Sequence, residues 1–119
     1  MRPEELLHRA VVQLLMLYAN RRLLAFAHVP NGGRRTRAEA GVLKAMGTTP
    51  GVPDLLIWLP SGGHFQIELK AGNGRLSPHQ VAWISRMSDM GVTVHVIRSL
   101  DGLEALLRAE GVPAVGMLN

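Results

Sequence analysis

The chain has 119 residues and no cysteine, with 47% hydrophobic and 18% charged side chains and a formal net charge of +4. Those values exclude a disulfide scaffold and a thiolate zinc site, fit a folded rather than a disordered chain, and predict one domain over residues 1–119 with its own core. No apolar stretch approaches the roughly 20 residues that span a bilayer, and Pro3, Glu4 and Glu5 do not open a secretory signal, so a cytoplasmic location away from membranes is expected.

In chain order, Leu7, Val11, Leu14, Leu15 and Tyr18 form one stripe on a helix over residues 3–20. Leu24 to Val29 is short, apolar and stopped by Pro30, which predicts a strand. Asn31-Gly32-Gly33-Arg34-Arg35 is a basic turn-rich loop. Thr36 caps a helix running to Met46, with Glu39 placed for a capping box and Gly47 as the stop. Pro50-Gly51-Val52-Pro53 leads stiffly into a second strand, Asp54–Leu59, and Pro60 to Gly63 turns the chain into a third, His64–Lys70. Ser77 and Pro78 start a helix that ends at Gly91; Val92–Arg98 is a fourth strand and Leu100–Ala109 a last helix. The order αβαββαβα predicts an α/β fold with a central mixed four-stranded sheet flanked by helices.

The third strand alternates: Phe65, Ile67 and Leu69 take one face, and His64, Gln66, Glu68 and Lys70 the other. One reading of that polar row is a solvated sheet face. The other is chemical, because Asp54 begins the strand that hairpins onto it. If Asp54 lies opposite Lys70, Glu68 sits on the diagonal, roughly 7–8 Å away between backbones. Two carboxylates at that range can hold a hard divalent cation, with a backbone carbonyl and waters completing the shell. A slip of one residue would send Asp54 to the other face. A neighbouring lysine such as Lys70 can then position or deprotonate a water. The basic, mostly arginine surplus favours a polyanionic partner whose phosphates release counterions on binding.

Gly51-Val52-Pro53-Asp54, Ile67-Glu68-Leu69-Lys70, and Gly74-Arg75-Leu76-Ser77 with Gln80 together resemble the PD-(D/E)XK nuclease superfamily, with its restriction-endonuclease-like fold. More closely they resemble its VRR-NUC (virus-type replication-repair nuclease) branch, as do His28-Val29-Pro30-Asn31-Gly32-Gly33-Arg34 and Leu43-Lys44-Ala45-Met46-Gly47. The resemblance implies metal ligation, by Mg²⁺ or Mn²⁺, through Asp54, Glu68 and the main-chain carbonyl of Leu69. It implies a catalytic role for Lys70, with Gln80 reaching the site from its helix. It also implies an acidic ligand from the first helix, for which the helical stripe favours Glu4 over Glu5. The family commonly has glutamine where this chain has His8.

Gln80 carries a second reading, as the capping-box partner of Ser77. Asn31, Arg34, Arg35 and Arg75 are expected to contact DNA, the glycines letting backbone approach a phosphate. His28, His64, His79 and His95 lack metal-ligand spacing and are expected to be structural or groove-lining; Trp58 and Trp83 are expected in the core or an interface rather than as base-stacking platforms. The function implied is phosphodiester hydrolysis in DNA, acting on structured or branched substrates such as four-way junctions, in replication, repair or phage biology. Size and the need for paired cuts predict a homodimer. The alternative is a catalytically idle DNA-binding subunit that uses the same basic groove.

Overall fold

A computed structural model describes residues 1–30 and 35–115. The helices are α1 (Pro3–Asn20), α2 (Arg37–Ala45), α3 (Pro78–Asp89) and α4 (Leu100–Ala109); the strands are β1 (Ala25–His28), β2 (Leu55–Trp58), β3 (His64–Leu69) and β4 (Val94–Ile97). The order of elements is the expected one, and each strand stops a residue or two short of its expected bounds. The sheet runs β1-β2-β3-β4, with the first two pairings antiparallel and β3–β4 parallel, so it is mixed. α3 supplies the crossover that a parallel pair requires.

One sheet face makes the core. Leu55 and Ile57 on β2 and Phe65, Ile67 and Leu69 on β3 pack with Val11, Leu15 and Tyr18 of α1 and Leu103 and Leu107 of α4. The α1 stripe thus turns inward as its spacing requires. Cutting a fully buried member such as Leu15 or Leu107 back to alanine removes about 2–5 kcal/mol. α2 has no buried residue. Its start is held by Thr36, whose Oγ1 accepts the Glu39 N–H at 3.1 Å.

The expected strand register is corrected, and one of the two readings of the polar row of β3 is removed. β2 and β3 pair Leu55 with Ile67 and Trp58 with His64, which continues to Asp54 opposite Glu68, not opposite Lys70. The reason is the turn: Leu59 N–H bonds to the Gly63 carbonyl at 2.7 Å, and positive φ at Ser61 (77°) and Gly62 (92°) closes the chain over three residues. This shifts the register by two, which preserves the face. The middle of the polar row of β3 is not a solvated face, because Gln66 and Glu68 are 6% and 4% exposed. α3 roofs that side, and Trp83 Nε1–H donates to Gln66 Oε1 at 2.9 Å.

Candidate functional site

The site collects where β2 begins and β3 ends. Pro53 is buried and cannot donate a backbone hydrogen bond, so the chain enters β2 in a fixed extended path. The Asp54 carbonyl then accepts two hydrogen bonds, from Val29 N–H at 2.9 Å and from His28 Nδ1–H at 2.9 Å. On its other side the Asp54 carboxylate accepts the Leu69 N–H through Oδ2 at 2.7 Å. β1 therefore holds the backbone of Asp54 while β3 holds its side chain, leaving Oδ1 and one lone pair of Oδ2 for other partners.

Glu68 sits directly across. Burial pushes its carboxyl up to about 8, the charge of Asp54 adds to the rise, and a hydrogen bond joins the two side chains; Lys70 pulls the other way. Two carboxyls in contact cannot both ionise cheaply without a cation beside them. Glu68 Oε1 also accepts from Gln80 Nε2 at 2.9 Å.

The two ends of the Gln80 side chain have different partners, so the capping box does not keep it from Glu68. Oε1 accepts the Ser77 N–H at 2.8 Å, Ser77 Oγ accepts the Gln80 N–H at 3.2 Å, and Nε2 is left for Glu68. The start of α3 is brought this close by Gly51, which has φ of +88° and lies so near the His79 carbonyl that a Cβ would stand 2.3 Å from its oxygen.

Asp54 and Glu68 open on a cavity of about 570 Å³. Glu4, Arg35, Lys44, His79 and Gln80 are in its wall, and Ala40 and Leu43 of α2 close one side. Glu5, by contrast, pairs outward with Arg9 at 3.2 Å. Among the described residues no three acidic or imidazole side chains converge tightly enough to hold a metal by themselves, so Glu4 shares the cavity without joining the Asp54–Glu68 contact. Arg35 donates to the Pro30 carbonyl at 3.0 Å. Lys70 is half-buried, and Arg75 is exposed in the loop beyond it; neither is in the cavity wall. Asn31 and Arg34 lie outside the described residues.

Sequence reasoning did not find the role of His28, whose contact with Asp54 joins residues 26 apart. Its ring is braced edge-on by His8, with centroids 4.5 Å apart. Burial lowers the His8 pKa, the nearby His28 lowers it further, and Asp54 and Glu4 oppose. The Pro30-Asn31-Gly32 punctuation was legible, but the pairing of β1 with β2 that puts His28 beside Asp54 leaves no local signal.

The sequence model of the VRR-NUC domain family matches residues 5–101. A 47-residue stretch, 39% of this chain, is 38% identical to Fanconi-associated nuclease 1 of Homo sapiens and to that of Ailuropoda melanoleuca. The match covers only 5% of the length of those relatives. Two solved structures, a VRR_NUC domain protein and a VRR_NUC domain, superpose with TM-scores of 0.54 at 24% identity. The first covers 70% of this chain and 64% of its own, the second 81% and 91%. At that identity the likeness concerns the fold, and in both cases it is the mixed sheet with flanking helices.

Proposed function

Because the chain belongs to the VRR-NUC domain family, a nuclease family, we propose that it hydrolyses phosphodiester bonds in DNA with Mg²⁺ or Mn²⁺ held at Asp54 and Glu68. The observation that carries this reading is the Asp54–Glu68 contact itself. A carboxyl pushed up to about 8 by burial, with a second carboxylate adding to the rise, at the wall of an open cavity, makes with that neighbour a pair of hard oxygen donors short of positive charge. Hard divalent cations are the ions that match such donors. The main-chain carbonyl of Leu69 suits the same site, since a strand residue sends its N–H and C=O toward the same neighbour and the Leu69 N–H goes to Asp54. Bound there, the cation would supply Lewis acidity toward the phosphate and lower the pKa of a water.

The chain's own groups do the rest. Asp54 is held from two strands, so it meets a ligand without reorganising. Gln80 orients Glu68 through Nε2. Lys70, on the Glu68 side of β3, holds a proton near the attacking water and meets the negative charge that builds on the phosphate. Glu4 reaches the cavity from the first turn of α1 and acts there through water. Arg35, with Arg34 and Asn31 before it and Arg75 from the loop after β3, meets the DNA backbone. Branched or structured DNA is the substrate class the family resemblance favours, and a second copy of the chain would allow paired cuts across two strands.

The test is Asp54→Asn. Asparagine keeps the carbonyl oxygen that accepts the Leu69 N–H, so the fold is expected to hold. The charge that pairs with the cation is lost. Nicking should fall by at least 100-fold in Mn²⁺, while DNA affinity stays equal or rises slightly as a repelling charge disappears. Cutting at the parent rate would show that the active site lies elsewhere; tight DNA binding by a parent chain that never cuts would favour the idle binding subunit.

A further inference from the structure

β2 sends alternate side chains to opposite faces. Leu55 and Ile57 go into the core, so Asp54, Leu56 and Trp58 share the other face, the one that carries Glu68. Over β3 and β4 that face is roofed by α3. At the Asp54 end of β2, Ala40 and Leu43 of α2 close one side of the cavity; at the Trp58 end, among the described residues, the groove beside the indole has no lining residue from α2, α3 or α4. What remains is a shelf. Directly opposite Trp58 on β1 is Ala25, and opposite Leu56 is Ala27. Both alanines are exposed, and their methyl groups are too short to cover an indole. Trp58 is accordingly 40% exposed, which takes it out of the core.

On its β3 side Trp58 leans on the His64 ring, with centroids 5.3 Å apart and planes 31° from parallel. His64 is held at both nitrogens: Nδ1–H donates to the Ile57 carbonyl at 2.8 Å, and Nε2 accepts from Gln66 Nε2 at 3.2 Å. Gln66 is fixed in turn by the indole N–H of Trp83. The shelf is thus an aromatic surface set on a hydrogen-bonded, part-buried network. Exposed Arg22 stands at its end, with Ala25, Trp58 and Pro60 around the same shallow groove.

We propose that this shelf is a nucleobase-stacking site, in which Trp58, braced by His64, takes an unpaired base of the strand whose phosphate is engaged at Asp54 and Glu68. Arg22 meets the backbone beside that base. This rests on the nuclease reading and narrows it to DNA with single-stranded character next to the cut. Four residues along β2 put Trp58 about 13 Å from Asp54 on the same face, a span that a few nucleotides of one strand cover. A rigid aromatic face beside a cation is the chemistry that binds unpaired bases without reading sequence. A base inside a duplex is already stacked on both sides and cannot use it. An aliphatic protein surface would gain little from a ledge this narrow, and Arg22 suits phosphate.

The experiment measures binding in EDTA, where no turnover occurs, by the full parent chain and by Trp58→Leu and Trp58→Phe. The probes are a blunt duplex and the same duplex with a short single-stranded extension at either end. Trp58→Leu keeps apolar bulk but loses stacking, so affinity for an extended duplex should fall about tenfold or more while the blunt duplex binds as before. Trp58→Phe should recover most of the loss. The extended duplex should quench indole fluorescence in the parent and not in Trp58→Leu, where only Trp83 remains. Unchanged affinity, an equal loss on both DNAs, or a change of oligomeric state in Trp58→Leu would each overturn the proposal, the last by making the shelf a subunit contact. A parent that cuts DNA yet binds both probes equally overturns the shelf alone; a parent that neither binds nor cuts DNA overturns the nuclease reading and the shelf with it.

Discussion

Replacing Glu68 with glutamine should stabilise the cation-free protein, and the gain should grow with pH. In the folded chain the Glu68 carboxyl is pushed up to about 8 by burial and by Asp54, whereas in the unfolded chain it returns to about 4.5. Below the lower value both states hold the proton and the carboxyl costs nothing. As pH rises through the window, the unfolded chain releases its proton while the folded chain keeps it, so stability falls until the folded group also ionises. At about 1.4 kcal/mol for each pH unit the full loss is up to about 5 kcal/mol. The cavity beside Glu68 admits water, so roughly half of that should survive, equivalent to a difference of about 10 °C in Tm. Glutamine does not titrate, yet it keeps an oxygen to accept from Gln80 and an N–H to give to Asp54. The assay is thermal unfolding of parent and Glu68→Gln in EDTA from pH 4.5 to 9, repeated with Mn²⁺. The parent should lose stability across the window and recover it with Mn²⁺; the variant should do neither. Parallel curves for the two proteins would refute the reasoning.

Other outcomes follow from the same geometry. Cleavage should require Mg²⁺ or Mn²⁺, stop in EDTA, and fail with Ca²⁺ even where DNA still binds, because the longer and looser Ca²⁺ shell misplaces the reacting groups; a nicking assay with exchanged cations reads this directly. His28→Ala should weaken Mn²⁺ binding about tenfold by calorimetry as Asp54 loses its Nδ1–H donor, and His28→Asn, whose amide can donate from nearly the same place, should restore most of it. Gly51→Ala should cost about 3 kcal/mol or more in urea unfolding, since its Cβ meets the His79 backbone as well as straining a positive φ. Gly47→Ala, with φ of +98° and nothing within 4 Å, should cost only about 1 kcal/mol.

The features legible in the sequence are those whose cause is local. Ser77-Pro78 and Gln80 announced the start of α3 because capping is settled within four residues, and the alternation from His64 to Lys70 announced a strand because side chains in a strand must alternate. Even Asp54 and Glu68 could be paired in advance, since a hairpin brings near neighbours together. The register differs by two from one that sets Asp54 opposite Lys70, because it depends on how tightly Pro60 to Gly63 closes, which the residue types allow in more than one way. Burial of the polar face of β3 was not legible at all: whether Gln66 and Glu68 meet water or α3 depends on where a later helix lies down. The same is true of His28, whose partner is 26 residues away, and of Trp58, which is exposed only because β1 places alanines beside it. An apolar count would bury that indole. The exposed end of that face appears only when the sheet is assembled, and it is continuous with the face on which Asp54 and Glu68 meet. The meeting of Asp54 with Glu68 and the exposure of Trp58 farther along the same face both follow from how β1, β2 and β3 are registered, which no short stretch of sequence states.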